Sequence, residues 1–218
     1  MIFYTLSDSA FTRLYREELE MSFSAMDCLL NGEKAVYAST ELTTGQRLYN
    51  AMRQCGVKTV AELKQIKGKD WYSANIWDAN LKAGSEFASR VRVNLGRKFM
   101  VVTPGPFTAP GWTQPEYLAF WEQLVRTRTG AVWFNLNWQY SNGCTFEFAV
   151  AVDAGVPVFD CEGHALDARQ GAELVDAAIQ SLLKDGFDVA KLRENLARLQ
   201  PPVFASASTD HPADTSFG

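Results

Sequence analysis

Residues 130–160, "GAVWFNLNWQYSNGCTFEFAVAVDAGVPVFD", contain the pattern that decides the fold. The β-branched and aromatic run 130–138 precedes a polar turn and the apolar segment 143–154, which Gly155 terminates. The short run 156–160, "VPVFD", then has the composition of a buried strand. A strand, a helix and a second strand in this order predict a βαβ unit, in which the two strands are parallel.

Strand-like and helix-like segments alternate along the rest of the chain. Segment 10–30 has apolar residues at three- and four-residue steps, which predicts an amphipathic helix with Ser7, Asp8 or Ser9 as its N-cap. Further helices are predicted over 43–56, 59–66, 77–96, 115–128, 168–186 and 188–200, and further strands over 1–6, 34–39 and 98–104. We therefore expect an α/β protein with a flavodoxin-like or Rossmann-like three-layer architecture, in which helices cover both faces of a parallel sheet.

Length and composition limit the organisation and the class of the protein. The 218 residues are 47% hydrophobic and 21% charged. They predict one α/β domain over residues 1–200, with 45–90 as a helical insertion and 201–218 as a flexible tail. The formal net charge of −4 argues against a broad surface for nucleic acid or anionic membrane. The start of the chain lacks a basic signal region and no apolar run is long enough to span a bilayer, so a cytoplasmic location is expected.

Metal and disulfide chemistry have little support in the sequence. The four cysteines are scattered and are expected to be reduced thiols. Only Cys161 and His164 in "CEGH" have metal-like spacing, and two ligands do not make a zinc site. No metal and no cofactor are therefore predicted. The lysines of segment 58–69 are typical of a solvated helix face, which argues against nucleic acid as a partner.

A single carboxylate stands out in this framework. Parallel α/β sheets bind ligands beyond the carboxyl ends of their strands, near the point where the strand order reverses. Glu147 lies on the helix that follows such a strand end, and no basic residue stands at helical spacing around it. Ser141 and Asn142 begin that helix, where they can cap it, bind an anion, or do both. Glu147 is the candidate reactive group, with a structural carboxylate bonded to the backbone or to a tyrosine as the alternative.

Segment 137–160 resembles the signature of the nucleoside 2-deoxyribosyltransferase-like superfamily. That signature has a Ser or Asp after a strand, a Gly, a Glu six residues after the Ser or Asp, small residues, and Gly-x-Pro-Val at the next strand. These positions are occupied here by Ser141, Gly143, Glu147, Ala151 and Gly155-Val156-Pro157-Val158. The run 101–107, "VVTPGPF", also resembles the second strand and following loop of the family. The resemblance covers about residues 95–160.

The resemblance implies cleavage of an N-glycosidic bond, or transfer of a (deoxy)ribosyl group, on a nucleotide or nucleoside. Glu147 would be the nucleophile that forms a covalent glycosyl intermediate. A serine at the position of Ser141 tends to bind a 5′-phosphate in the family, which favours a nucleotide. The first strand of the family carries a tyrosine that orients the nucleophile. Tyr4 is the best match for it, and Tyr37 is a weaker rival.

The resemblance also implies other ligand contacts and a homodimer. Ser7 and Asp8 follow Tyr4, and Asp8 is a candidate for protonating the leaving base. Asn142 and Gly143 would join Ser141 around a phosphate. Two aromatic residues could stack on or cover the base, with packing in the core or in a loop as the alternative; these are Trp138 and Phe107. A non-catalytic nucleotide-binding or sensing module on the same fold is the alternative function.

Overall fold

The structure is a computed structural model that describes residues 10–96 and 98–199, and only the backbone of residues 10–14. Four strands form a sheet in this part of the chain: β1 (Ala35–Ser39), β2 (Val101–Val102), β3 (Thr129–Phe134) and β4 (Val158–Phe159). The α-helices of the same part are α1 (Ala10–Leu30), α2 (Gln46–Cys55), α3 (Val60–Lys67), α4 (Lys69–Tyr72), α5 (Asp78–Asn94), α6 (Gln114–Arg128), α7 (Asn142–Asp153), α8 (Ala168–Lys184) and α9 (Ala190–Leu199). A π-helical turn, Ser73–Trp77, joins α4 to α5, and a 3₁₀ turn, Trp138–Tyr140, precedes α7.

The sheet has the strand order β2-β1-β3-β4, and all its neighbouring strands are parallel. The chain runs outward from β1 to β2 and then returns past β1 to β3. The connections on the two sides of the β1–β3 pair therefore leave in opposite directions, which opens a crevice at the carboxyl ends of these two strands. The prediction of a three-layer α/β fold with a parallel sheet is confirmed.

The two faces of the sheet contact different helices because successive side chains on a strand point to opposite faces. Val36 and Ala38 pack with Phe87 and Val91 of α5 on one face. Tyr37, between them, belongs to the larger core cluster on the other face, to which α2, α6, α7 and α8 contribute apolar side chains. Ser39 follows Tyr37 at the same two-residue spacing. The side chains that face α7 at the end of β1 are therefore polar or amphipathic.

Most local predictions agree with the structure. Segment 10–30 is helical throughout, and α2 ends at Gly56, which adopts the left-handed conformation with φ 67°. Segment 45–90, which was predicted to be a helical insertion, contains most of α5, and α5 covers one face of the sheet. Three strands are shorter than their patterns suggested, since β2 and β4 have only two residues each and β3 ends at Phe134 instead of continuing to Trp138. The predicted strand over 1–6 and the N-cap candidates Ser7, Asp8 and Ser9 lie outside the described residues, as does the tail 201–218.

The capping box at the start of α3 is confirmed and supports a stability prediction. The Thr59 hydroxyl accepts a hydrogen bond from the Glu62 N–H at 3.2 Å, and the Glu62 carboxylate accepts one from the Thr59 N–H at 2.9 Å. Replacing Thr59 by alanine is expected to lower the free energy of unfolding by about 1 kcal/mol, because a helix N–H loses its partner. Thermal unfolding would record this as a fall of roughly 2–4 °C.

A serine in the middle of a helix provides the control for that experiment. Ser89 is exposed on α5 and donates its hydroxyl to the Ser85 carbonyl, so it caps nothing. Ser89→Ala is expected to change the free energy of unfolding by less than about 0.5 kcal/mol. Equal losses in the two variants would contradict a specific capping contribution at Thr59.

Among the helices described, none is both long enough and apolar enough to cross a membrane.

Candidate active site at the end of the sheet

The Glu147 carboxylate lies beneath the crevice at the carboxyl ends of β1 and β3. Its Oε1 accepts a hydrogen bond from the Tyr37 hydroxyl at 2.8 Å, and its Oε2 accepts one from the Ser39 hydroxyl at 2.6 Å. Both donors come from the same face of β1, so two residues of one strand hold the two oxygens of the carboxylate. This arrangement fixes the rotation of the carboxyl group and directs it toward the strand end.

The electrostatic surroundings of Glu147 favour its neutral form. The side chain is only 5% exposed, and it forms no ion pair with any cationic side chain of the described residues. Burial raises the pKa of Glu147 to about 7, although the hydrogen bonds from Ser39 and Tyr37 lower it. The carboxyl group therefore changes its charge near neutral pH, as is common for groups that react with a substrate.

A second carboxyl group, that of Glu41, lies two residues beyond the end of β1. Its Oε2 accepts a hydrogen bond from the Gln46 N–H at 3.0 Å, in the first turn of α2. Burial also raises the pKa of Glu41 to about 7, against the opposing effects of that hydrogen bond and of the Arg47 charge. Burial raises the pKa of the Cys144 thiol well above its usual range, and the negative charges of Glu147 and Glu41 raise it further.

Gly45 allows the Glu41 carboxylate to lie against the loop that precedes α2. The glycine has φ 144°, and a Cβ atom added to it would be only 1.7 Å from Glu41 Oε2. A larger residue at this position would therefore displace the carboxylate from the α2 N-terminus.

The start of α7 is held by its own N-cap residue and by two side chains from other parts of the chain. Ser141 is 3% exposed and its hydroxyl accepts a hydrogen bond from the Cys144 N–H, so its predicted role as a helix cap is confirmed. The Asn142 N–H donates to the Thr44 hydroxyl at 3.0 Å, and its carbonyl accepts from the Asn195 side chain of α9 at 3.0 Å. Asn195 also donates to Thr145 Oγ1 at 2.8 Å. These contacts fix the helix that carries Glu147.

An open polar cavity of about 400 Å³ lies next to Glu41. One side of α2 forms one wall along the length of the helix, the segment 71–76 around the π-helical turn forms another, and Asn137 of the β3–α7 connection also lines the cavity. The cavity lies beyond the carboxyl ends of the two central strands, as expected for a parallel α/β sheet. Its lining residues do not include Glu147 or the predicted ligand residues Ser141, Asn142 and Gly143. Helices of segment 45–90 supply most of its walls.

The two aromatic residues proposed to contact a base are packed against protein. Trp138 is 4% exposed and stacks on the ring of Phe148 with a centroid separation of 4.6 Å. Phe107 stacks on Phe120 at 4.5 Å and contacts Trp121 edge to face. In this structure Trp138 therefore packs in the core and Phe107 packs against neighbouring aromatic rings, which were the alternatives to contact with a base.

The other predicted site residues are divided between described and undescribed parts of the chain. Gly143 lies in the first turn of α7, where a Cβ atom would have ordinary contact with Ser141 at 3.9 Å. Tyr4, Ser7 and Asp8 lie outside the described residues, so their roles stay predictions. Among the described residues, the tyrosine that donates to Glu147 is Tyr37, the weaker of the two matches to the family tyrosine.

Three further residues of the site were not identified from the sequence, namely Ser39, Glu41 and Arg47. Ser39 follows Tyr37 by two residues, so the alternation of a strand would have placed both hydroxyls on one face. Glu41 lies just past the strand end, where polar residues of a parallel sheet converge. Arg47 had no local signal, since an arginine in the first turn of a helix is usually a solvated residue.

The described residues contain no group of three or more histidine, cysteine or acidic side chains placed to hold a metal ion. His164, one of the two residues with metal-like spacing in the sequence, contacts Asp160 and Glu162 in an exposed turn.

No protein family, no curated protein and no solved structure matches this chain.

Proposed function

We propose that the protein cleaves or transfers across the N-glycosidic bond of a nucleotide or nucleoside, with Glu147 as the nucleophile. The observation that carries this proposal is the pair of hydrogen bonds from Tyr37 and Ser39 to the two oxygens of an otherwise unpaired, buried carboxylate. A carboxylate that is oriented but free of a cation keeps its nucleophilic lone pairs for an electrophilic carbon. Its position at the strand end, where α/β sheets bind ligands, supports the same interpretation.

The proposed reaction has two displacements at the anomeric carbon. In the first, a carboxylate oxygen of Glu147 bonds to the anomeric carbon while the bond to the base nitrogen breaks, and the base leaves as it takes a proton. In the second, water or another base attacks the same carbon and releases the Glu147 carboxylate. Water gives hydrolysis, and a second base gives transfer.

Glu41 is the proposed proton donor to the leaving base. It lines the cavity, and its pKa of about 7 leaves a large fraction of the carboxyl group protonated at neutral pH. Only one of its oxygens accepts a hydrogen bond from a described residue, so the other can face a ligand. After the base has left, the resulting carboxylate can take the proton of the attacking water.

A second candidate function, nucleotide binding or sensing without turnover, has its own supporting observation. Glu147 is 95% covered, and both its oxygens already accept hydrogen bonds from β1. In a binding module the carboxylate would serve to fix α7 against the sheet. The cavity next to Glu41 would then bind its ligand without any reaction at Glu147.

One assay separates the two functions. The wild-type protein is incubated with each common nucleoside 5′-monophosphate and each parent nucleoside, and the free base is measured by chromatography. We expect base release by the wild type and none by Glu147→Ala or Glu147→Gln. Asp153→Ala is the matched control, because Asp153 is an exposed carboxylate near the other end of α7 and pairs with Arg126. This control should release base at the wild-type rate.

The other outcomes of the assay are equally decisive. Base release by the Glu147 variants as well would exclude Glu147 as the nucleophile. Binding of a nucleotide without release by the wild type would replace the enzyme with the sensing module, and absence of both would reject both functions. The homodimer implied by the resemblance and the cytoplasmic location expected from the sequence stay predictions that accompany this proposal.

A further inference from the structure

Charge is distributed unevenly along the chain. Segment 45–96 contains nine basic and four acidic residues, a formal charge of +5, whereas the whole chain has −4 and the remaining residues therefore have −9. The net charge that argued against a surface for nucleic acid is thus an average over two parts of opposite sign. A positive part of this size favours an anionic partner for segment 45–96.

Most of the basic side chains of this segment lack a carboxylate partner. Arg53 pairs with Asp185 at 2.7 Å, and the other eight form no ion pair with any described residue. Glu62 lies among the lysines of α3, but its carboxylate caps the helix, where it accepts from the N–H groups of Lys58 and Thr59. The positive charge of this region is therefore available to a ligand.

Aromatic rings of α4 lie beneath two lysines of α3. Lys64 Nζ lies 4.1 Å from the centroid of the Tyr72 ring, and Lys67 Nζ lies 5.5 Å from the centroid of the Trp71 ring. Both aromatic residues are half-buried and pack against the core, which holds their rings in place. The group that covers each ring on the side of α3 is the end of a flexible lysine, which can move aside.

Lysines beside fixed aromatic rings match the chemistry of single-stranded nucleic acid. Ammonium groups contact its phosphates, and its unpaired bases stack on aromatic rings. A base stacked on a ring stabilises more than an exposed cation–π contact does, so a bound strand can draw Lys64 and Lys67 from the rings onto its phosphates. Lys69, which is exposed between α3 and the two rings in sequence, adds a third ammonium group.

The polar cavity adjoins these rings, because Trp71 lines it. Its wall carries amide side chains that both donate and accept hydrogen bonds, as the edges of an unpaired base require. They are Gln46, Asn50, Gln54, Asn75 and Asn137. A duplex keeps these edges within its base pairs, and an anionic membrane presents no bases. The rings and the amides therefore favour a single strand over both.

We propose that Lys64, Lys67, Lys69, Trp71 and Tyr72 form a binding surface for single-stranded nucleic acid. The phosphates of the strand contact the three lysines, and its bases stack on the two rings. This inference goes beyond the proposed function and does not depend on it, since the surface includes neither of the two carboxyl groups to which the reaction was assigned. A protein that releases no base from a nucleotide could still bind a strand here.

Oligonucleotide binding by the full chain tests the proposal. Fluorescence anisotropy is measured at several salt concentrations with labelled single-stranded RNA and DNA of about 20 nucleotides, and with the DNA duplex of the same sequence. At least one single strand is expected to bind with a dissociation constant of about 1–100 µM at low salt. The logarithm of its association constant should fall with the logarithm of the salt concentration with a slope of about −2, since each phosphate contact contributes about −0.7. The duplex should bind at least about fivefold more weakly, because its bases cannot stack on the rings.

Two sets of substitutions separate the lysines from the rings. The triple variant Lys64→Gln/Lys67→Gln/Lys69→Gln should weaken binding about 10- to 100-fold at low salt and bring the slope close to zero. Trp71→Leu keeps an apolar side chain against the core and should weaken binding about 5- to 100-fold without changing the slope, whereas Trp71→Phe should restore most of the affinity. Lys184→Gln, at an exposed lysine of α8, is the control and should bind within about twofold of the wild type.

Four results would overturn the proposal. They are absence of single-strand binding at protein concentrations up to about 100 µM, equal affinity for the duplex, binding that does not depend on salt, and binding that survives the triple lysine substitution. Sedimentation with vesicles that contain phosphatidylserine is measured in parallel, and binding to these without binding to oligonucleotides would replace nucleic acid by an anionic membrane. Lys67 and Lys69 are exposed, so the lysine variant tests the proposal even if Trp71→Leu fails to fold.

Discussion

At pH 8, Glu147→Gln is expected to raise the free energy of unfolding by roughly 3 kcal/mol relative to the wild type. The reason is the low-dielectric position of the carboxylate, whose burial raises its pKa from 4.5 to about 7 in the folded protein. A difference of this size between the folded and the unfolded state corresponds to roughly 3 kcal/mol at pH values above both pKa values. Glutamine has nearly the same shape and can still hydrogen-bond to Tyr37 and Ser39, but it carries no charge.

The sign of the effect depends on pH in a defined way. Below about pH 4.5 the carboxyl group is protonated in both states, so the wild type has no penalty and the two proteins should be equally stable. Between pH 4.5 and 7 the unfolded chain loses its proton while the folded protein keeps it, and the wild type becomes progressively less stable than the variant. Above pH 7 the full difference is reached.

Urea unfolding of both proteins at pH 5 and pH 8 measures this difference. Glu41 has a similarly raised pKa, but it is present in both proteins and cancels in the comparison. Glu86→Gln, an exposed substitution on α5, is the control and should stay within about 0.5 kcal/mol of the wild type at both pH values. A Glu147→Gln variant that is no more stable than the wild type at pH 8 would show that the charged Glu147 carboxylate does not destabilise the folded protein.

The expected gain has a functional meaning, because a group that destabilises the fold in its charged form needs another reason to be there. A structural hydrogen bond to Tyr37 and Ser39 could be made by glutamine at lower cost. The carboxylate offers something that glutamine cannot, namely a nucleophilic oxygen. Stability measured at pH 8 and base release measured at the same pH should therefore move in opposite directions when Glu147 is replaced.

The features that the sequence predicted well depend on residues close together in the chain. The α1 helix, the left-handed Gly56 and the Thr59 capping box are each determined within one or two helical turns. The strand–helix–strand pattern of 130–160 was similarly local, and it placed Glu147 on a helix that follows a strand. A parallel sheet followed from the alternation of such units.

The composition of the site was harder to predict because its contacts join distant residues. Tyr37 and Glu147 are 110 positions apart, and their hydrogen bond depends on which strands are neighbours in the sheet. A tyrosine at position 4 and one at position 37 had comparable strand contexts in the sequence. The burial of Trp138 likewise depends on Phe148 and on helix packing, so an aromatic residue beside the motif could not be assigned to a ligand or to the core.

The largest loss of stability is expected from Phe148→Ala, which should lower the free energy of unfolding by about 3–5 kcal/mol. The Phe148 ring is completely buried next to Glu147 on α7, and it packs on the rings of Trp138 and Phe134 at centroid separations of 4.6 and 5.6 Å. Truncation would remove these contacts and leave a cavity between α7 and α8. Urea unfolding at pH 7 measures the loss, and Leu29→Ala, at a site 71% exposed, should cost less than about 0.5 kcal/mol.

Gly171 of α8 shows how closely that ring is packed and gives the prediction a second test. A Cβ atom added at Gly171 would lie 2.0 Å from Phe148 Cζ, so Gly171→Ala forces the ring to move and should cost about 1–3 kcal/mol. In a Phe148→Leu background the clash is relieved, because leucine does not reach the position of Cζ. The double variant should consequently lose less stability than the sum of the two single variants. If the stability loss of the double variant equals the sum of the two single losses, Phe148 does not occupy the space in front of Gly171.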